Sequence, residues 1–580
     1  MNKYILAFCG LFIFPSLSAQ EKAHPNVILI VTDDQGYGDF GFTGNPHAQT
    51  PVLDKFANEN TLFTNYHVSP VCAPTRSSLM TGRYSIRTGV RDTYNGGATM
   101  STEEVTIAEM LKAENYRTGI FGKWHLGDNY PSRPMDQGFD ESLIHLSGGM
   151  GQVGDFTTFF QGNRSYFDPV LWHNGQKEAY KGYCSDIFAE QAMRFIGESD
   201  DKPFFCYLAF NAPHTPLQVP KEYYDRFKDI DPSQGFDSSI PMPKMSEKDK
   251  EDARKVYAMV ANIDDNLGRL FNLLEEKGLA ENTIILFMTD NGPQQYRYTK
   301  GFREKKGNVY NGGICTPLIV HHPDYRKAQQ IGTLSAHIDI LPTIMDFCGI
   351  KKSPQAKLDG KSLVPCFSGK GEELNDRSLF FYWTRRYPEL YQNIALIKGD
   401  FKLVGNTSYD AEIGQFSLYN VREDPFEKQN ILENNTALAQ TMKKELDATY
   451  TELIQEEHFK NQPLIEIGNE KERVSFLNRN DADGERGIWA QEEIYGKWNV
   501  FVNEGNYNVK FKFVKPVSGK GKLLLEANKV VFTKEIPEGE FDVIEMQNVH
   551  LSEGIGEIVP TYQLKGKNIF PFWLEIERLD

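Results

Sequence analysis

Asp33 and Asp34 follow an apolar, β-branched run from Asn26 to Thr32, and Asp290 and Asn291 follow a second such run from Thr283 to Thr289. Four hard oxygen donors at two strand ends, three of them carboxylates, suit a calcium ion first and a magnesium ion second. An isolated Asp more often caps a helix or a turn. Here the pattern occurs twice, each time where a buried strand stops. Cys72 heads the run Cys72-Ala73-Pro74-Thr75-Arg76, in which Pro74 and the helical pattern after it put the cysteine at or just before a helix amino terminus. Free N–H groups and the helix dipole there favour an anion. Arg76 adds a fixed, forked positive charge. A lone cysteine is more often a buried hydrophobe, so Cys72 acquires chemical meaning only from these neighbours.

The elements that must position these groups read as parallel strands separated by helices. A continuous apolar strand is one buried on both faces, and ligands gather at the carboxyl ends of such strands. A third, weaker run, Phe204 to Phe210, leads into Asn211-Ala212-Pro213-His214. Helical patterns lie between, at Thr106 to Glu114, Ser185 to Ile196 and Lys248 to Lys277. The expected fold is α/β, a large sheet with helices on both faces. From Ser378 to Asn430 short strands alternate with Gly, Asn and Asp turns, which predicts a smaller antiparallel subdomain. A helix should follow it, from about Asn435 to Glu457. Beyond a polar stretch, residues 488 to 580 alternate with a period of two and no helical period, as a separate β-rich domain would. The expected boundaries are a signal peptide over 1–19, a catalytic α/β domain over 20–375, its subdomain over 376–468, a linker over 469–485 and the β-rich accessory domain over 486–580.

The chain has 580 residues, 40% apolar, with 63 basic against 79 acidic side chains and a net charge of -16. That composition supports a large core. It argues against a nucleic-acid partner, which needs a concentrated basic face. An anionic substrate remains compatible, because salt screens the global field over roughly 8 to 10 Å. Lys3, an apolar run from Tyr4 to Phe14 and small residues to Ala19 read as a secretory signal, the run being well short of the ~20 residues a membrane span requires. No later segment could span a membrane. The expected location is outside the cytoplasm: periplasmic in a Gram-negative host, otherwise secreted or surface-attached. Cys72, Cys184, Cys206, Cys315, Cys348 and Cys366 remain after that segment, without a zinc-site spacing and, if Cys72 is modified, in a number that cannot fully pair.

The run from Cys72 to Arg83, Cys-Ala-Pro-Thr-Arg-Ser-Ser-Leu-Met-Thr-Gly-Arg, resembles the signature of the type I sulfatases in the alkaline phosphatase superfamily. Thr75 stands where Ser is usual. The resemblance extends over residues 25 to 450 through Gly122-Lys123-Trp124-His125-Leu126-Gly127, Ala212-Pro213-His214-Thr215-Pro216 and Lys306-Gly307. It implies that a maturation enzyme oxidises Cys72 to formylglycine, an oxygen of which joins Asp33, Asp34, Asp290 and Asn291 on the cation. It further implies that Arg76, Lys123 and Lys306, with Lys305 as the substitute for the last, hold the reacting groups. His125 would take a proton from the hydrated aldehyde, and His214 would protonate the leaving alcohol. The implied substrate is a sulfated mono- or oligosaccharide.

Asn311, Cys315 and Thr316 depart from the family's usual residues. Two other readings compete, a phosphodiesterase or phosphonate hydrolase of the same superfamily and a non-catalytic glycan-binding protein on the same scaffold. The first prefers His where Asn291 stands, and the second predicts loss of residues that are all present. Phe159, Phe160, Asn163, Arg164, Trp172 and the loop Tyr296 to Arg303 are candidate walls of the substrate pocket, with structural packing the safer reading for most of the aromatics.

Overall fold

The computed structural model describes residues 24–198, 202–351, 354 and 356–580; the signal-peptide reading of residues 1–19 lies outside them. A large mixed sheet is built from β1 (Asn26–Thr32), β2 (Thr61–His67), β3 (Arg117–Lys123), β4 (Glu141–His145), β5 (Val170–His173), β6 (Gln176–Ala179), β7 (Phe204–Ala209), β8 (Thr283–Thr289), β9 (Cys315–His321), β10 (Gln329–Ile331) and β11 (Ser335–Ala336). Its order is β10-β2-β9-β8-β1-β7-β3-β4-β5-β6, with β11 on β2. β1 lies between β7 and β8 and runs parallel to both, so three strand ends open at the same edge.

All seven residues of β1 are buried, and alternation sends them to opposite faces. Ile28 and Ile30 pack with Met259 and Ile263 of the long helix Glu247–Glu276 and with Phe188 of the helix Cys184–Gly197. Val27, Leu29 and Val31 pack on the other side with Ala73, Leu79 and Met80 of the helix Cys72–Thr81. Both faces need an apolar lining, hence the unbroken Val-Ile-Leu-Ile-Val sequence. The long helix starts with a reciprocal capping box between Ser246 and Asp249, which satisfies two otherwise orphaned N–H groups.

A four-stranded antiparallel sheet spans Ser378–Tyr382, Ile394–Lys398, Phe401–Gly405 and Ser417–Asn420, and the helix Thr436–Leu453 packs on it. Two further sheets, one of seven and one of four strands, form a sandwich between Ile465 and Arg578. One expectation fails here. The stretch 469–485, read as a linker, contains the strand Val474–Asn478, which pairs antiparallel with Trp573–Arg578 inside the sandwich. Its polar residues serve as contacts: the backbone of Phe476 exchanges two 3.0 Å hydrogen bonds with the Asn129 amide, and Asn478 Nδ2 donates to Asp128 at 2.7 Å. The expected pocket aromatics close the same seam. Phe159 and Phe160 meet Phe572 at 4.7 and 5.2 Å between ring centroids, and Trp172 meets Phe476 at 5.4 Å. Asn163 is exposed, and Arg164 pairs with Asp168 on the surface.

Buried carboxyls at this junction give it a pH dependence. Burial pushes Asp155 up to about 7 and Glu472 up to about 7, the latter against the pull of Arg133. Asp128 and Asp481 are likewise held above the usual carboxylate range by burial, and for Asp128 also by Asp481. The folded form thus keeps protons that the unfolded chain releases. The stability these groups contribute is complete below the ordinary carboxylate range and is lost as pH rises through about 7. Calorimetric scans should show the melting temperature falling by a few degrees between about pH 5 and 8, and Asp481→Asn should flatten that slope. A flat profile in the unsubstituted protein would mean that these carboxyls are ionised throughout.

Candidate active site

The site is assembled from strand ends and one helix start. Asp33 and Asp34 leave β1, Asp290 and Asn291 leave β8, Lys123 ends β3, and His214 follows β7. Cys72 is the first residue of its helix, and the whole helix is buried. Backbone strain accompanies this convergence: Asp34 and His125 sit at φ 62° and 61°, a conformation costing a non-glycine residue about 1 kcal/mol or more. Gly122 is required by its surroundings, since φ is +121° and a Cβ would stand 1.8 Å from the carbonyl oxygen of Ala209.

Arg76 is fully buried and fixed from several sides. Its Nε and Nη2 donate to Asp290 Oδ2 at 3.1 and 2.8 Å, and its Nη1 donates to the Lys123 carbonyl at 3.1 Å and the Tyr207 hydroxyl at 3.3 Å. Asp33 Oδ2 lies 3.8 Å from Nη2 and also binds Lys123 Nζ. Lys306 Nζ binds Asp34 Oδ1, which also accepts from Asn291 Nδ2 at 2.8 Å. Lys305, the substitute considered for Lys306, turns outward to the Gln294 carbonyl at 3.0 Å.

Cys72 Sγ is 3.5 Å from His125 Nδ1, and His125 Nε2 is 2.8 Å from the Thr93 carbonyl. A carbonyl only accepts, so Nε2 carries the proton and Nδ1 presents a lone pair to residue 72. His214 is set the other way round: Nδ1 donates to the Thr215 carbonyl at 2.7 Å, leaving Nε2 3.8 Å from Asp34 Oδ2.

The electrostatics follow from burial with charges close by. Burial alone would raise Asp34, but Lys306 and then His214 outweigh it and hold this carboxylate well below its usual range. Asp290 is pushed up to about 6, by burial and by Asp33, despite Arg76. Burial pushes His214 down to about 3 and His125 well below its ordinary value, with Lys123 adding to the effect on His125. The thiol of Cys72 is pushed up by burial.

Asp33 Oδ1, Asp34 Oδ2 and Asn291 Oδ1 are buried without a hydrogen-bond partner among the described residues. Such oxygens are costly unless something positive sits against them. One ligand atom each from Asp33, Cys72 and Asp290 lie within 4.8 Å of one another. Hard oxygens left open at the foot of a carboxylate cluster fit a divalent cation such as calcium or magnesium.

Two contributors lie in segments legible in the sequence, but in roles that the sequence did not show. Arg297, fully buried, grips Asp39 at 2.7 Å through both Nε and Nη2 and gives Nη2 to the Asp34 carbonyl at 2.7 Å, fixing the backbone of a strained residue. Near Asn311, a departure from the family pattern, Glu427 accepts from the Asn311 N–H at 2.7 Å and pairs with Lys402, so a carboxylate arrives from elsewhere in the chain. The loop Tyr296 to Arg303 lines a different cavity, of about 360 Å³, with Phe426. The cavity above Cys72 measures about 390 Å³ and is bounded by His125, His214, Lys306, Thr93 and Gln152.

Comparison with known proteins agrees with this geometry. The Sulfatase family model matches residues 25–350, and a second one, N-sulphoglucosamine sulphohydrolase, C-terminal, matches 300–455. The chain is 29% identical to human Arylsulfatase A over 460 residues, 70% of this chain and 83% of that protein. It is 28% identical to the Arylsulfatase of Klebsiella aerogenes, over 63% of this chain and 95% of that one. The solved structure of Ps i-CgsB in complex with k-i-k-neocarrahexaose is similar at a TM-score of 0.64 and 28% identity, covering 75% of this chain and 94% of that one. A carboxylate-rich strand-end site behind a cysteine-headed helix, inside a family match over more than half the chain, has one reading: the chain belongs to the sulfatase family of the alkaline phosphatase superfamily and is a sulfuric ester hydrolase.

Proposed function

We propose that the chain removes sulfate from a sulfated mono- or oligosaccharide, with residue 72 oxidised to formylglycine and a calcium ion held by Asp33, Asp34, Asp290 and Asn291. The observation that carries this reading is that Cys72 and Lys306 line one cavity, with Lys123 and three unpartnered carboxylate or amide oxygens of Asp33, Asp34 and Asn291 clustered next to them. Support for a carbohydrate comes from the similar structure with a bound neocarrahexaose. Export to the periplasm of a Gram-negative host, or otherwise secretion or surface attachment, belongs to the same reading, as does a separate maturation enzyme acting on Cys72.

A hydrated aldehyde supplies one hydroxyl to attack sulfur and a second to expel the sulfate afterwards, which a serine could not do. A calcium ion at this site would offset negative charge on the sulfate oxygens. The rest falls to the chain's own groups. Lys123 and Lys306 neutralise charge on the sulfate, and Arg76 holds Asp290 and residue 72 in register. His125 Nδ1, the free lone pair beside residue 72, accepts the proton when sulfate leaves. His214 Nε2 faces the cavity and delivers a proton to the departing sugar oxygen. Burial pushes His214 down to about 3, and the negative charge of an arriving sulfate ester would favour its protonation.

Intact-peptide mass spectrometry across residues 72–83 of protein from its native host, with sulfate release from a panel of monosulfated sugars, tests the proposal. An aldehyde mass with release from one sugar is expected, and an unmodified thiol in active protein would overturn the formylglycine assignment. Chelation should abolish turnover, with calcium restoring it better than magnesium; full activity after complete chelation would remove the cation from the reading. Lys306→Ala should slow turnover by about 10² or more, whereas Lys305→Ala should leave it nearly unchanged. Similar initial-rate losses in both would reinstate Lys305.

A further inference from the structure

The family match ends at residue 455, yet the cavity above Cys72 is closed by residues beyond it. Gly487, Trp489 and Ala490 of the terminal sandwich line the same 390 Å³ space as Cys72, His125 and His214. Their loop is fixed before anything binds. The buried guanidinium of Arg479 gives Nη1 to the carbonyls of Ile488 at 3.0 Å and Gln491 at 2.9 Å, one on each side of Trp489. From the catalytic side, Arg386 Nη2 donates to the Gly484 carbonyl at 2.6 Å and the Gly96 N–H to the Asn480 carbonyl at 3.1 Å.

Trp489 is half-buried on the wall of the cavity. Tyr94 meets its ring edge-on, with centroids 5.4 Å apart and planes at 61°. Arg385 lies over the Tyr94 ring at 4.9 Å and is itself fixed by Asp92 at 3.0 Å. These contacts fix the orientation of the indole. The aromatic side chain of Trp489 thus lines the cavity together with the polar Arg385 and Gln152. A pyranose ring has the matching form, an apolar C–H face with hydroxyls at its rim. Because the loop is already ordered, little of the contact energy is lost to ordering it on binding.

We infer that Trp489 is the platform for the ring of the sulfated sugar, so that the terminal sandwich supplies part of the substrate site; the inference rests on the carbohydrate reading above. Calorimetric titration of the Cys72→Ala protein with a panel of monosulfated monosaccharides and their unsulfated counterparts tests it directly. Trp489→Ala in that background should weaken Kd about tenfold, and Trp489→Phe, which keeps an aromatic face and the contact with Tyr94, should recover most of that loss. In the unblocked enzyme the same substitution should raise KM with kcat little changed. Equal affinity in all three proteins, or no sugar bound by the parent, overturns the platform. If the wild type releases no sulfate from sugars while Trp489 still governs their affinity, the platform stands and the carbohydrate-sulfatase reading falls.

Discussion

The Cys72→Ala protein should release sulfate at least about 10⁴-fold more slowly than the mature enzyme while keeping its melting temperature and its affinity for substrate. Losing a covalent nucleophile removes the reaction path itself and not an increment of transition-state binding. The fold should tolerate the change, because Cys72 is a small buried residue at a helix start whose Sγ makes a 3.5 Å approach to His125. Sulfate release by ion chromatography and a calorimetric scan measure the two halves of the expectation. Turnover near the wild-type rate would end the assignment of residue 72 as nucleophile.

The second large effect concerns His214 and depends on the leaving group. A sugar alkoxide is a strong base and leaves only with a proton, whereas a nitrophenolate leaves readily without one. His214→Ala should therefore cost about 10² to 10⁴ in kcat on a sugar sulfate and far less on 4-nitrophenyl sulfate. Added weak acids should partly rescue the former. Its Nε2 is 3.8 Å from Asp34, so a second consequence of the substitution is weaker support for that carboxylate. Equal losses on both esters would assign His214 to holding Asp34 and withdraw the proton-donor role.

The parts of this molecule written locally in the chain were legible there. β1 and β8 could be read because burial on both faces demands unbroken apolar runs, and the positions just after them must then lie at a shared edge. The helix beginning at Cys72 was legible through Pro74 and the pattern behind it. What escaped was written across long separations. Arg297 and Asp39 meet only because the chain folds back over 258 residues, and nothing in the loop Tyr296 to Arg303 indicates Asp39 as its partner. Polarity around it concealed the strand Val474–Asn478, whose Phe476 backbone is held by the Asn129 amide and whose Asn478 donates to the Asp128 carboxylate, both far away in sequence. The aromatics at Phe159, Phe160 and Trp172 follow the packing reading, which the sequence left open because a seam between domains and a sugar-binding wall call for the same residue types.

The pairing of Val474–Asn478 with Trp573–Arg578 also bears on how the protein is made. Synthesis runs from the amino end, so the helix headed by Cys72, both carboxylate-bearing strand ends, His125 and His214 leave the ribosome well before the strand that clamps the sandwich shut. Until Trp573–Arg578 arrives, the loop carrying Trp489 has no finished scaffold, and the rim it forms over residue 72 stays open. Nascent chains would therefore pass through an interval in which the cysteine is already in place but the roof above it is not. On the proposed formylglycine reading, the maturation enzyme would have its widest access during that interval, and a stop codon late in the message would yield a chain with its chemistry encoded and its pocket unbuilt.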